Sequence, residues 1–262
     1  MQKAVERPPA VSLIPKIRNV PALRPLHWLV LASTDIRRAP FASLFYGVVF
    51  ALMGQCLHWL FLSAPHQTVT LTTGFMLLGP FLCMGLYDIG RRLELGQSKV
   101  FIPSLLAWKR NLPGTSLFAI ILALTFAGWM RVSVVLFALF YTEQIPTIED
   151  MFKATFFTEE NLAFVIAYFS CGAMFALLVF AISVVSIPML LAKDGDTLTA
   201  IFTSVQALLR NPLSMLVWGS CIVLLFVLGV ALFYAGLIIT MPLAGLATWH
   251  AYREIVEKPL EP

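Results

Sequence analysis

Residues 213–249 read LSMLVWGSCIVLLFVLGVALFYAGLIITMPLAGLATW, 37 consecutive positions without a charged side chain. A single helix of that length would reach roughly 55 Å at 1.5 Å per residue, whereas the hydrocarbon core of a bilayer is about 30 Å thick. The tract is therefore predicted to fold back on itself near Gly229 to Gly236 and to form two spans. Four further apolar tracts, at 41–62, 71–87, 117–141 and 162–192, approach or exceed the about 20 residues that a spanning helix requires. Composition agrees: 59% of the 262 residues are hydrophobic, 12% are charged and the mean hydropathy is +0.85. A water-soluble fold has too little interior to hide that much apolar surface. The expected fold class is all-α, a polytopic membrane protein of six transmembrane helices. Its hairpins lie at about 41–87, 117–192 and 213–249 in a domain over 25–255, flanked by cytosolic tails at 1–24 and 256–262.

Lysine and arginine set the orientation, because basic flanks are retained on the cytosolic side. With both termini inside, cytosolic segments hold 16 of the 18 basic residues; only Arg131 and Lys153 lie outside. The outer stretch 142–161 carries Glu143, Glu149, Asp150, Glu159 and Glu160. The pI of 9.0 is thus a topology signal, and no nucleic-acid partner is expected. The first 40 residues are interrupted by prolines and lack the apolar run of a cleavable signal peptide.

Working back from the opening tract, its entrance reads LLRNP, Leu208–Pro212, and the same corner recurs. Arg38 precedes Pro40, Arg110 precedes Pro113 and Arg210 precedes Pro212. Upstream of each arginine lies an apolar set at i, i+3, i+4, i+7 and i+10. It comprises Leu26, Leu29, Val30, Ser33 and Ile36 in the first copy, and Leu198, Ile201, Phe202, Val205 and Leu208 in the third. The middle copy gives Ser98, Phe101, Ile102, Leu105 and Trp108. That spacing lines one face of a helix. The predicted unit is an amphipathic interfacial helix, a basic elbow (Arg38 and Pro40; Arg110 and Pro113; Arg210, Asn211 and Pro212), then a transmembrane hairpin, repeated three times in tandem. Proline ends one helix and suits the first turn of the next, while arginine can lay its stem on apolar surface and reach lipid phosphate. Each even helix carries a proline, Pro80, Pro188 or Pro242, expected to kink it by depriving the carbonyl of Met76, Val184 or Ile238 of its donor.

Chemistry is sparse along these tracts. Arg131 and His58 each lie 18 residues after an elbow proline, at the outer interface beside Trp129 and Trp59, where aromatic and basic residues anchor spans. A sharper alternative pairs Arg131 with Glu143 or Glu160 at a substrate mouth. Asp88 and Arg92 in YDIGRRLE stand at i, i+4 on a helix end. The segment AKDGDTLTA lacks the surroundings of a phosphatase aspartate motif; Gly195 closes one helix and Asp196 or Thr197 caps the next. Cys56, Cys83, Cys171 and Cys221 occur singly, and the four histidines, His27, His58, His66 and His250, have no ligand spacing within a helix. No cofactor, no metal and no enzymatic activity are expected.

Leu77–Gln97 (LLGPFLCMGLYDIGRRLELGQ) together with Leu208–Met215 (LLRNPLSM) resembles a bacterial family of six-helix integral membrane proteins, a domain of unknown function. Some of its members carry the label cytochrome c oxidase subunit I, which the histidine inventory here contradicts. The resemblance implies a bacterial inner (plasma) membrane and no functional residues. The expected role is a non-enzymatic accessory, scaffold or assembly subunit whose partners are the lipid bilayer and another membrane protein or a second copy. The alternative is a channel or transporter of a neutral or amphiphilic solute, its path lined by Gln55, Ser170, Ser183 and Tyr234.

Overall fold

The computed structural model describes residues 15–63, 82–140, 162–192 and 195–257, and these are helical; among them only Ile17 and Val256 form an isolated antiparallel bridge. Helix α1 (Arg24–Arg38) is followed after one residue by α2 (Pro40–Ser63). A helix over 82–94, α3, leads to the short α4 (Phe101–Ser104), a 3-10 turn (Ala107–Asn111) and the long α5 (Leu112–Phe140). Then come α6 (Leu162–Ser183), α7 (Ser186–Ala192), α8 (Thr197–Arg210), α9 (Pro212–Ala231) and α10 (Leu237–Ile255). Among the described residues, four stretches are long and apolar enough to cross a membrane: Pro40–Leu60, Ala107–Phe140, Leu162–Ala192 and Pro212–Ala231.

The 37-residue tract does turn back. Helix α9 stops at Ala231 and α10 starts at Leu237, with Phe233 (φ 51°) and Tyr234 (φ 64°) both left-handed. Trp28 touches Trp218 on α9 and Glu254 on α10, so the far ends of the two helices meet again and the pair is antiparallel. The reversal is tight because Gly229 and Gly236 face each other: a Cβ on Gly236 would lie 2.8 Å from the Cα of Gly229.

The first and third elbows share one geometry. Ala39 (φ −134°, ψ 60°) and Asn211 (φ −126°, ψ 52°) each donate their backbone N–H to the carbonyl four residues back, of Asp35 and Ala207. Proline then opens the next helix, where its missing N–H removes no helical bond. The middle copy departs from the expectation of a continuous amphipathic helix. Residues 98–110 form α4 and the 3-10 turn instead, and α5 begins at Leu112, one residue ahead of Pro113. Pro103 is the physical reason. In a helix continuous from Ser98 it would deprive the Lys99 carbonyl of its donor, and here, unlike Pro242 within α10, it stands third in a helix of only four residues.

Small and polar residues of α1 and α8 face inward: Ala32 and Asp35 on one, Ala200, Thr203, Ser204 and Ala207 on the other. Leu26 and Val30, and Leu198 and Phe202, face out at half exposure or more, whereas Trp28 of α1 is buried. Ile102, Leu105 and Leu106 of the middle segment are exposed as well. A soluble protein places these faces the other way round. Small inward residues let helices approach closely, the packing mode used where lipid removes the hydrophobic drive between helices.

The tightest core sits at one end of the bundle, around Trp28, Met84, Leu86, Ile89, Leu190, Leu191, Met215, Trp218, Trp249 and Tyr252. Away from it, Leu52, Leu124, Val134, Leu139, Leu177 and Val223 are exposed. Helix α10 lies against α1, α2 and α9, and so is the central element. Two of the three even-helix prolines can be followed; Pro80 lies outside the described residues. Before Pro188 the helix is interrupted at Val184 and Val185, and the amide of Val185 donates to the Ser204 hydroxyl of α8 at 3.2 Å. Ser204→Ala would leave that buried donor unsatisfied, with an expected loss of about 1–3 kcal/mol in a detergent unfolding titration. Pro242 lies inside a continuous α10, and the Ile238 carbonyl it leaves without a donor is packed against Gly47 of α2.

Candidate functional site

Polar chemistry gathers at the end of the bundle where the basic segments meet. Residues 16–20 run beside the C-terminus of α10: Arg18 N donates to Ile255 O at 2.8 Å, Glu257 N donates to Lys16 O at 2.9 Å, and Arg18 pairs with Glu257. Helix α1 is pinned to α10 by Glu254, which accepts from Arg24 Nε at 2.6 Å and Trp28 Nε1 at 2.8 Å. Asp35 meets His250 Nε2 at 2.7 Å, with Arg38 at 3.9 Å from the same carboxylate.

The Arg-Asn pair of the third elbow closes this arrangement. Arg210 Nη1 donates to Ile17 O at 3.3 Å; Asn211 Nδ2 donates to Arg18 O at 3.0 Å while its Oδ1 accepts from Val20 N at 2.8 Å. The side chain therefore pairs with an extended segment as another strand would. The middle elbow repeats the device: Arg110 Nε donates to Leu191 O at 3.3 Å and Asn111 Nδ2 to Leu190 O at 3.1 Å. In both, adjacent arginine and asparagine grip two successive carbonyls at the end of a neighbouring segment. The first elbow has Ala39 in place of asparagine, and Arg38 there is largely exposed. Asn211→Ala removes a donor and an acceptor from two part-buried backbone groups, for an expected loss of about 1–3 kcal/mol, at about 0.5–1.5 for each bond lost. Faster proteolysis within residues 15–20 of the folded protein would report it.

A second cluster surrounds Asp88, which is wholly buried. Its Oδ1 accepts from Arg91 Nε and Nη2 at 2.9 and 2.8 Å, and its Oδ2 from Arg92 Nε at 2.6 Å; Arg92 also donates to Gln97. One turn on, Glu94 accepts from Arg253 at 2.8–3.0 Å and from Trp249 Nε1 at 3.2 Å, joining α3 to α10. Between these pairs lies a cleft of about 150 Å³ lined by Arg91, Glu94, Arg110, Trp249 and Arg253, with Leu95 and Ala192. At the edge of this end, Asp196 caps α8 through Thr199 N at 2.8 Å. Hydrogen bonds from the Thr199 side chain and backbone hold its carboxyl below the ordinary carboxylate range. The cap is thus in place above that range and is lost as pH falls through the lowered value.

The other sequence candidates stand apart. His58 is exposed, with its ring 5.5 Å from that of Tyr234. Arg131 is exposed two residues after Trp129, which packs on Tyr168 and Phe175; Glu143 and Glu160 lie outside the described residues. Gln55 and Ser170 are exposed, Ser183 bonds back to Val179 of its own helix, and the Tyr234 ring lies beside Gly54. No group of three metal-ligating side chains occurs among the described residues. Sequence reasoning missed the asparagine clips, Glu94 with Arg253, and Glu254 with Arg24 and Trp28. Only the repeated Arg-Asn dipeptide, at 110–111 and 210–211, was a signal for any of them.

Residues 68–192 match the family model described as "Predicted integral membrane protein (DUF2189)", a domain of unknown function. The match holds Asp88, Arg91, Glu94 and the middle elbow, whereas the third elbow and α10 lie beyond it. No curated protein and no solved structure matches the chain. The match and the long apolar helices together identify an integral membrane protein.

Proposed function

We propose that this is a six-pass protein of the bacterial inner membrane, with both termini in the cytoplasm, that works without catalysis as an accessory, scaffold or assembly subunit. Helix 82–94 is the cytosolic end of the second span and α10 forms the sixth. The exposed apolar faces of α1 and α8 lie in the headgroup zone as parts of related tandem units. One observation carries the non-catalytic reading: the two carboxylates that the described residues bury are both engaged, Asp88 by Arg91 and Arg92 of its own helix and Asp35 by His250 of α10. A general acid or base has to be free to exchange its proton with a substrate, and these carboxylates are already taken up by arginine and histidine partners. The same charges would be expensive in lipid without such pairing. The long exposed spans remain for lipid and for another membrane protein or a second copy.

Gentle extraction from native membranes tests the role. A partner, or a second copy, recovered at constant stoichiometry supports it; a monodisperse lone chain overturns it. Topology is tested separately by thiol labelling of single cysteines placed at position 20 and position 150. Labelling from opposite sides of the membrane is expected, and labelling of both from one side sinks the six-pass layout.

A further inference from the structure

We infer that the cleft among α3, the 3-10 turn, the end of α7 and α10 binds a phosphate group, carried either by an anionic lipid headgroup or by a small soluble phosphate. The inference goes beyond the accessory role, and its soluble form needs no bilayer. Charge is the first reason. Four guanidiniums, of Arg91, Arg92, Arg110 and Arg253, surround two carboxylates, of Asp88 and Glu94. Counted over the described residues, these groups hold four cations and two anions. Both carboxylates already bind guanidiniums, Asp88 those of Arg91 and Arg92 and Glu94 that of Arg253.

Arg110 is the second reason. Its partner is the Leu191 carbonyl, met through Nε at 3.3 Å, and no carboxylate of the described residues stands within ion-pair distance. Its guanidinium feels the like charges of Arg91 and Arg92 and the opposite charge of the already paired Asp88. With Nε turned to the backbone, the Nη groups are left for a ligand, and a planar fork of donors suits phosphate oxygens. The space is about 150 Å³, or roughly five waters at about 30 Å³ each, which suits a compact tetrahedral anion. Trp249, Leu95 and Ala192 form an apolar wall beside it, as an interfacial site for a lipid requires. Basic pockets between transmembrane helices on the cytoplasmic side are a known chemistry for such headgroups.

The test uses the full chain with two probes. One arm reconstitutes it in phosphatidylcholine nanodiscs with and without phosphatidic acid and follows bound phosphatidic acid by native mass spectrometry. The other titrates inorganic pyrophosphate into protein in neutral detergent and follows the thermal unfolding midpoint. Saturable binding in at least one arm is expected, weakened about tenfold by Arg110→Gln, the loss of about 1.4 kcal/mol expected when one charge-assisted contact goes. Arg110→Lys, which keeps the charge and loses the fork, should fall between, and it serves if the glutamine variant does not fold. Arg37→Gln, an exposed basic residue outside the cleft, should bind like the parent. Retention of phosphatidic acid alone assigns the site to lipid, a response to pyrophosphate alone assigns it to a soluble ligand, and both together support a shared phosphate site. No saturation in either arm, unchanged binding by both Arg110 variants, or an equal loss in Arg37→Gln overturns the inference.

Discussion

Asp88→Asn is expected to destabilise the protein by about 3–5 kcal/mol, the range for breaking a buried ion pair by removing one partner. Asp88 is fully buried, while the side chains of Arg91 and Arg92 are 15% and 18% exposed, so solvent screens these pairs little. Asparagine retains one acceptor for Arg91 but points an NH₂ at Arg92, donor against donor. Two guanidiniums are then left near Arg110 with no anion among them, so repulsion adds to the lost attraction. The measurement is an unfolding titration in mixed micelles. A loss below about 0.5 kcal/mol, the level of an ordinary surface change, would mean that these pairs within α3 do not stabilise the fold. A cycle with Arg92→Leu separates the pair from burial alone. If the charge left by Asp88→Asn causes the damage, the double variant should recover part of it.

Sequence patterns revealed the parts of this fold that repeat at short range. The reversal between Ala231 and Leu237 follows from comparing tract length with bilayer thickness, and the corners at Ala39 and Asn211 from proline placement. The outward apolar faces of α1 and α8 follow from the spacing of leucine, valine and phenylalanine. What the pattern hid depends on partners far away in the chain. Arg210 and Asn211 looked like lipid-facing residues because their protein acceptors are carbonyls 193 positions away. A carbonyl leaves no mark in a sequence. Arg253 and Glu94, 159 positions apart, were equally invisible, since each reads as a solvated charge at a helix end. Over 98–110, Pro103 stands inside the apolar stripe, and the α-helix there has only four residues.

The close contact between α2 and α10 was hidden for the same reason, and it gives the second large effect. A Cβ built on Gly47 would collide with the Ile238 carbonyl oxygen and would lie 2.6 Å from its carbon and 2.8 Å from its Cα. These are backbone atoms of a packed helix, so no rotamer change can relieve the overlap. Pro242 removed the N–H that would have bonded this oxygen, and Gly47 supplies a Cα–H surface against it, a weak polar contact. Two effects of opposite sign compete in Gly47→Ala. Helix propensity favours alanine by about 1 kcal/mol, and overpacking opposes it by about 3 kcal/mol or more, so a net loss near 2 kcal/mol is expected, with Gly47→Val considerably worse. Gly128 in α5 supplies the contrast, because a Cβ there would meet only the Phe175 ring, at 3.5 Å, an ordinary contact. Gly128→Ala should therefore gain up to about 1 kcal/mol from propensity alone. The paired measurement is the unfolding midpoint of both variants in one detergent. If both glycines respond with the same sign, helix propensity is governing the outcome and the close approach of α2 to α10 is wrong.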